Sequence, residues 1–223
     1  MPLPEGWTIN TDYSKPSPST VDLLRTAETG PVGDALGRSA AMDLSVKPVF
    51  PCTVLGTAVT VHTTPCDNLG NYKALDLAGP GDVIVCAVDG YPTHSVWGDL
   101  TSEIAKTKGL AGMVTDGMVR DVAGLERVGL PVFAKGLTPN SPQKDGPAQI
   151  NVPVVCGGVI VRPGDVVLGD ADGIVVVPAE KVEEVAEAVK AIEEKEKGIR
   201  ASIAANGGMP DSALKLLEEK GLR

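Results

Sequence analysis

Residues 98–126, with the sequence GDLTSEIAKTKGLAGMVTDGMVRDVAGLE, are the stretch around which the rest of the chain can be interpreted. A Gly-Asp pair opens the stretch in a loop. The spacing of the apolar residues that follow predicts a short amphipathic helix, with Leu100, Ile104 and Ala105 on one face. An apolar strand, residues 112–114, comes next and ends at a Thr-Asp-Gly sequence. Helix and strand in alternation predict an α/β fold.

Charged residues follow that strand. Arg120 and Asp121 come shortly after its end, and Asp99 lies at the start of the preceding helix. Open α/β folds bind their ligands beyond the carboxyl ends of the strands. We therefore expect Asp99, Arg120 and Asp121 to converge on one site.

The composition is that of a globular protein and argues against several classes of function. A length of 223 residues favours one domain with an N-terminal arm. A net charge of −9 and an aromatic content of 3% disfavour nucleic-acid binding, because phosphates are repelled and bases lack a stacking platform. The chain shows neither a signal-peptide core nor an apolar run of the roughly 18 residues that a membrane span needs. We expect a cytoplasmic protein that does not bind membranes.

The cysteines and histidines do not predict a zinc site. The four cysteines form no Cys-x-x-Cys pair, and the two histidines, His62 and His94, lack the spacing of zinc ligands. Cys86 and Cys156 lie inside apolar runs. We predict that these two are buried thiols.

The chain divides into three segments by composition. Residues 1–18 are polar and proline-rich and form the N-terminal arm, residues 19–178 form an α/β core, and residues 179–223 form a helical segment that packs on the core or on a neighbouring subunit. In the core, β-branched alternation predicts a strand over residues 54–63, and an apolar run predicts another over residues 83–88. Strands followed by helices favour a layered α/β domain.

Two helices are expected to end at glycine or proline. A Ser-Thr pair caps a predicted helix over residues 21–28, which Pro31 and Gly33 terminate. A longer helix over residues 180–196 has a narrow apolar stripe on a charged surface; Gly198 is expected to interrupt it, and the helical pattern then continues to Gly207-Gly208.

The adjacent Arg-Asp pair has chemistry suited to an α-keto acid. The Arg120 guanidinium can hold a carboxylate through two parallel hydrogen bonds, and the Asp121 carboxylate can hold Mg²⁺, which prefers oxygen ligands. Such a pair would polarise the keto carbonyl and stabilise an enolate. The alternative is a surface ion pair that contributes under about 1 kcal/mol.

The spacing of Asp99, twenty residues, the Arg-Asp pair, four residues and Glu126 resembles a family pattern. It is the pattern of the class II pyruvate aldolases of the 4-hydroxy-4-methyl-2-oxoglutarate/4-carboxy-4-hydroxy-2-oxoadipate aldolase family. Other landmarks of the family recur along most of the chain, among them Asp67-Asn68, Pro80-Gly81-Asp82-Val83, Gly157-Gly158 and Pro163-Gly164-Asp165. The resemblance implies a single-domain α-β-β-α sandwich of the RraA-like (swivelling β/β/α) type. It also implies a homotrimer or homohexamer with sites between subunits.

The activity that the resemblance implies is the cleavage of a 4-hydroxy-2-oxo acid to pyruvate and a second keto acid, with oxaloacetate decarboxylation as a side activity. The implied cofactor is Mg²⁺ or Mn²⁺. Asp121 would bind the metal, with Glu126 supporting it through water. Arg120 would contact the pyruvyl carbonyl and stabilise the enolate.

The remaining roles are also implied by the resemblance. A substrate loop would consist of Gly98, Asp99, Leu100 and Thr101, with Asp99 holding water on the metal. Glu196 would reach in from an adjacent subunit and help to position the water that acts as the base. Asp34 would stand where the best-matched aldolases have a glutamate. A solvated helix residue is the plain alternative for Glu196, and a helix cap is the alternative for Asp34.

The same fold also houses regulators of RNase E activity, which inhibit a ribonuclease by protein–protein contact. The aldolase pattern requires an acidic residue after the Arg-Asp pair, and Glu126 supplies it here. The sequence therefore favours the enzyme over a non-catalytic binding protein.

Overall fold

The computed structural model of the protein describes residues 3–223. The strands, in chain order, are β1 Thr8–Ile9, β2 Lys47–Pro48, β3 Val54–Thr63, β4 Asp82–Ala87, β5 Ser95–Trp97, β6 Gly112–Val119, β7 Val132–Leu137, β8 Ala148–Ile150, β9 Val154–Cys156, β10 Val159–Val161, β11 Val166–Asp170 and β12 Gly173–Val177. The α-helices are α1 Pro18–Val21, α2 Thr29–Ala35, α3 Leu69–Leu77, α4 Asp99–Thr107, α5 Val122–Val128, α6 Val182–Asn206 and α7 Asp211–Glu219.

A parallel core of β3, β4, β6 and β7 organises the main sheet. One side of β3 pairs with β4, and the other side pairs antiparallel with β11 at its start and with β8 at its end. Every residue of β4 and β6 is buried. Strands buried on both faces have continuous apolar runs, as the sequence of residues 83–88 predicted.

Three hydrophobic clusters separate four layers. Successive residues of β6 point to opposite faces, so Met113 packs with α3, α4 and α5, whereas Val114 packs against β9, β10 and β12. The third cluster lies between the β11–β12 pair and the helices α2 and α6, and it includes Val175 of β12 and Val185 of α6. This α-β-β-α arrangement confirms the layered α/β fold.

The N-terminal arm follows the edge of the sheet. Its strand β1 pairs parallel with β8, and residues 1 and 2 of the predicted arm lie outside the described residues. Lys15 donates to both carboxylate oxygens of Asp82 at 2.7 and 2.6 Å. Asp82 is buried and also accepts from the hydroxyl of Thr57 at 2.6 Å. An ion pair therefore fixes the arm to the amino end of β4.

Two predicted helix boundaries were wrong. Residues 21–28 do not form one helix; α1 and a 3₁₀ turn occupy this region, and α2 begins at Thr29. Pro31 lies in the first turn of α2, where a backbone N–H would have no acceptor within the helix, so proline is tolerated there. Helix α6 continues through Gly198 and ends at Asn206, and Gly207, with a φ of 63°, forms a left-handed cap. Within residues 3–223, no helix is both long and apolar enough to cross a membrane.

The apolar face predicted for α4 was wrong in two of its three residues, and Ala105 is fully buried as predicted. Leu100 is 66% exposed and Ile104 is 40% exposed, whereas Ser102 is fully buried. The Trp97 indole N–H donates to the Ser102 hydroxyl at 2.7 Å, and this contact turns the polar residue inward. Strand β6 also extends beyond the expected Thr-Asp-Gly end to Val119, so Arg120 directly follows a strand.

The ion pair of the arm can be tested by substitution. Lys15→Met should lower the free energy of unfolding by about 1–3 kcal/mol, because it leaves a buried carboxylate without its counter-charge. Urea denaturation measures the difference. Lys73→Met is the matched control, since Lys73 pairs with the exposed Asp76 and should change the value by under about 0.5 kcal/mol. Equal effects of the two substitutions would contradict the anchoring role of Lys15.

Candidate functional site

The candidate site lies at the carboxyl ends of the neighbouring strands β5 and β6. Gly98 follows β5 and caps α4, while Arg120 and Asp121 follow β6 and lead into α5. The Arg120 N–H donates to the carbonyl oxygen of Trp97 at 3.1 Å, which ties the two strand ends together. Each helix thus begins where its strand ends, and both helix starts face one cavity.

Gly98 approaches the Arg-Asp pair so closely that a side chain has no room. A Cβ atom at residue 98 would lie 2.7 Å from Oδ2 of Asp121 and 3.4 Å from Cγ of Arg120. The Thr101 hydroxyl accepts from the Gly98 N–H at 3.0 Å and donates to the Gly98 carbonyl at 2.8 Å. The Gly98 loop therefore has one fixed position beside Asp121.

The backbone of Asp121 adopts the left-handed conformation. Its φ of 61° and ψ of 42° are uncommon for a residue with a side chain, and such strain is found at functional sites. Oδ2 of Asp121 lies 3.1 Å from Nε of Arg120, and both side chains are partly exposed. Nη1 of Arg120 donates to the Ser141 hydroxyl at 2.5 Å. The guanidinium is thereby held between Asp121 and Ser141.

Asp99 is placed differently from the other two predicted site residues. Its Oδ1 accepts from the N–H of Leu100 at 2.8 Å, and its Oδ2 lies 3.5 Å from Nη2 of Arg127. A Cβ at residue 124 would meet Oδ2 of Asp99 at 2.6 Å, so the carboxylate lies against α5. Asp99 lines the same cavity as Arg120 and Asp121, with its carboxylate towards Arg127.

The cavity has a volume of about 200 Å³ and includes residues that the sequence did not single out as site residues. Tyr72, Ser141 and Lys144 line its far wall, and the Lys144 ammonium lies 5.1 Å from the centre of the Tyr72 ring. Asn68 lines the wall too, and its buried side-chain oxygen has no hydrogen-bond partner within residues 3–223. Only Asn68 had a sequence signal, as part of the Asp-Asn landmark. The wall of the cavity thus carries two positively charged side chains, Arg120 and Lys144, and the buried amide of Asn68.

The donor set fits a hard divalent cation better than zinc. Among residues 3–223, no three His, Cys, Asp or Glu side chains come together as a closed metal site. Magnesium keeps several waters and needs only one or two protein carboxylates. Asp121 faces the cavity, the missing side chain of Gly98 leaves space beside Oδ2, and Asp99 adds a second carboxylate to the wall. These residues fit Mg²⁺ or Mn²⁺ held largely through water.

Three of the residues that the resemblance implied do not line this cavity in a single chain. Glu126 is exposed on α5. Asp34, on α2, forms an ion pair with Arg38 just beyond the end of that helix, with 3.0 Å between Oδ1 of Asp34 and Nε of Arg38. Glu196 pairs with Arg200 on α6 at 3.3 Å.

A larger cavity of about 660 Å³ lies near Asp170, away from these residues. The Asp170 carboxylate accepts hydrogen bonds from the N–H and the hydroxyl of Thr29 and from the N–H of Asp172. These contacts hold the start of α2 and a turn, so they account for Asp170 structurally.

Asp116 is a further buried carboxylate; burial raises its pKa, while the N–H groups of Val88 and Gly90 donate to it.

The chain belongs to the RraA-like family. The family model described as Aldolase/RraA matches residues 29–176. A protein of Halalkalibacterium halodurans named "Putative 4-hydroxy-4-methyl-2-oxoglutarate aldolase" is 40% identical over 171 residues, which are 76% of this chain and 81% of that protein. These findings confirm the family resemblance.

Solved structures support the same assignment. An uncharacterized protein from Pseudomonas syringae pv. tomato superposes with a TM-score of 0.77 at 29% identity, covering 86% of this chain and 96% of the other. Streptomyces coelicolor RraAS2, described as an unusual member of the RNase ES inhibitor RraA protein family, gives a TM-score of 0.73 at 28% identity, covering 83% and 98%. The family therefore includes proteins named for an enzymatic function and proteins named for inhibition.

The close approach of Gly98 to Asp121 gives a direct test of the site. Gly98→Ala should displace the Asp121 side chain and weaken Mn²⁺ binding about tenfold, because the new methyl group would lie only 2.7 Å from Oδ2. Titration calorimetry with Mn²⁺ measures the affinity. Gly30→Ala is the control, since a Cβ at residue 30 meets nothing within 4 Å. Unchanged Mn²⁺ affinity in Gly98→Ala would separate Gly98 and Asp121 from any metal site.

Proposed function

We propose that this protein is a divalent-metal-dependent class II aldolase. Its reaction would be the cleavage of a 4-hydroxy-2-oxo acid, such as 4-hydroxy-4-methyl-2-oxoglutarate or 4-carboxy-4-hydroxy-2-oxoadipate, to pyruvate and a second keto acid. The observation that carries the proposal is the placement of the Gly98 loop against Arg120 and Asp121 at the mouth of one cavity. Membership of the RraA-like family and the aldolase name of a relative support it.

Asp121 is the residue proposed to hold the metal, with Asp99 and water completing the environment. When bound, the cation would supply positive charge next to the keto acid and polarise its carbonyl group. Glu126 is exposed on α5, so any support from it would have to pass through water.

Arg120 is proposed to hold the reacting end of the substrate. Its guanidinium is already fixed by Asp121 and Ser141, so little side-chain entropy is lost when a substrate oxygen binds. As the C3–C4 bond breaks, negative charge grows on the keto oxygen, and a positioned guanidinium stabilises it. The start of α4 adds N–H groups at residues 99 and 101, where a helix terminus favours a carboxylate.

The proton of the 4-hydroxyl group must leave for the bond to break. We assign the positioning of the accepting water to Glu196 and Asp34 of a neighbouring copy, in a homotrimer or a homohexamer. Neither residue lines the cavity of its own chain, and this arrangement would bring both to it. Loss of CO₂ from oxaloacetate produces the same pyruvate enolate, so the protein should also decarboxylate oxaloacetate.

Steady-state kinetics test the proposal. Pyruvate release from 4-hydroxy-4-methyl-2-oxoglutarate and from oxaloacetate should require Mg²⁺ or Mn²⁺ and stop in EDTA. Asp121→Ala and Arg120→Lys should each lower kcat/KM by on the order of 10²-fold or more. The first removes the proposed metal ligand, and the second replaces the planar guanidinium by an ammonium group that cannot make two parallel hydrogen bonds. Arg25→Lys, in an exposed ion pair with Asp22, is the matched control and should keep normal turnover. Activity that survives EDTA, or normal turnover of Asp121→Ala, would contradict the metal role.

Sites shared between subunits can be tested by mixing inactive variants. Co-expressed Asp121→Ala and Glu196→Ala chains should recover about one quarter of wild-type activity, since random assembly pairs an intact Asp121 with an intact neighbouring Glu196 at that frequency. Light scattering verifies the oligomer. Asp121→Ala mixed with the Asp121→Ala/Glu196→Ala double variant is the control and should stay inactive. Full activity of Glu196→Ala alone would remove Glu196 from the mechanism.

The second candidate function is inhibition of a ribonuclease or another protein by surface contact. The structural similarity to Streptomyces coelicolor RraAS2 is the observation that favours it. The two functions separate cleanly in the Asp121→Ala variant. An enzyme loses turnover in that variant, whereas an inhibitor keeps full inhibition of its ribonuclease.

A further inference from the structure

A surface loop, residues 138–147, supplies one wall of the candidate site. It carries Ser141, which accepts from Arg120, and Lys144, which lies over the ring of Tyr72. The first end of this 138–147 loop is fixed by main-chain bonds. The Thr138 N–H donates to the carbonyl of Val119 at 3.0 Å, next to Arg120. The position of the second end must depend on other contacts.

Near its second end, where it leads into β8, the 138–147 loop is bonded to one buried carboxylate. Oδ2 of Asp67 accepts from the N–H groups of Asp145 at 2.6 Å and Gly146 at 3.1 Å. Oδ1 of Asp67 accepts from the N–H of Leu69 at 2.8 Å, at the start of α3. Asp67 is 3% exposed. A carboxylate that receives several N–H donors makes charge-assisted bonds, which are stronger than neutral ones.

The main chain on either side of Asp67 reinforces this link. The Gln143 N–H donates to the carbonyl of Cys66 at 2.6 Å, and the Asn68 N–H donates to the carbonyl of Gln143 at 3.1 Å. Asp67 itself does not line the cavity, whereas its neighbour Asn68 does. Asp67 thus connects two parts of the cavity wall that are more than seventy residues apart in the chain.

We propose that Asp67 is a positioning residue for the binding of the keto acid. Its carboxylate fixes Asp145 and Gly146, and this places Lys144 and Ser141 opposite Arg120. Without it, Asp145 and Gly146 lose these bonds, and Lys144, which lies between Gln143 and Asp145, is held less firmly, although the main-chain bonds of Gln143 remain. This assignment rests on the proposed function, which supplies the keto acid as the substrate. Loss of the Asp67 carboxylate should therefore weaken substrate binding and raise KM, with little effect on kcat. Arg120 and Asp121 keep their places, because they follow β6.

Kinetics of Asp67 variants test this role. Asp67→Asn should raise KM for oxaloacetate about tenfold and Asp67→Ala should raise it further, with kcat within about threefold of wild type. A merely structural role would instead reduce the fraction of folded enzyme, which lowers kcat at an unchanged KM. Asp76→Asn is the matched control: it removes the same charge from an exposed position on α3 and should leave both constants unchanged. A fall in kcat at wild-type KM in both Asp67 variants would overturn the proposal.

A second measurement is independent of any enzymatic activity. Limited trypsin digestion, with mass spectrometry of the fragment 145–223, reports how often the loop opens at Lys144. Asp67→Ala should be cut there at least tenfold faster than wild type, and Asp76→Asn should be cut at the wild-type rate. Wild-type cleavage in Asp67→Ala would overturn the anchoring role. If the wild-type protein lacks turnover, the proposed function fails while the digestion still decides whether Asp67 holds the loop.

Discussion

The candidate site depends on one close approach between two strand ends. Gly98 and Asp121 can adjoin because residue 98 has no side chain and because the Arg120 N–H bonds to the carbonyl of Trp97. Neither contact involves the hydrophobic core directly. Both are fixed by it, since β6 is buried over its whole length and carries Arg120 at its end. A rigid strand thereby holds a strained residue and positions a charged pair, so little side-chain entropy would be lost when a ligand binds.

The second wall of the cavity is held by a different kind of interaction. The 138–147 loop lies on the surface and buries little apolar area, so polar contacts must fix it. It is attached to Val119 at one end and to Asp67 at the other. The site therefore combines a wall set by packing with a wall set by hydrogen bonds. A division of this kind lets Arg120 and Asp121 stay fixed while the side chains of the 138–147 loop move.

Local pattern was enough to predict much of the fold. The alternation of β-branched residues gave β3 with its observed bounds, and the position of charged residues past an apolar strand brought Asp99, Arg120 and Asp121 to one cavity. The rest depended on contacts between distant parts of the chain. Ser102 is buried because of the Trp97 indole, which an apolar-periodicity rule does not represent. Lys144 lies between Gln143 and Asp145, which both bond to residues 66–68, and no local signal marks it.

The backbone of Asp121 has a consequence for how such proteins diversify. Asparagine and glycine adopt the left-handed conformation readily, so either could replace this aspartate without straining the turn into α5. The layers beneath would be untouched, because the carboxylate takes no part in their packing. A descendant of this scaffold could lose the proposed metal ligand in a single step and still fold, leaving its surface free to acquire an unrelated task.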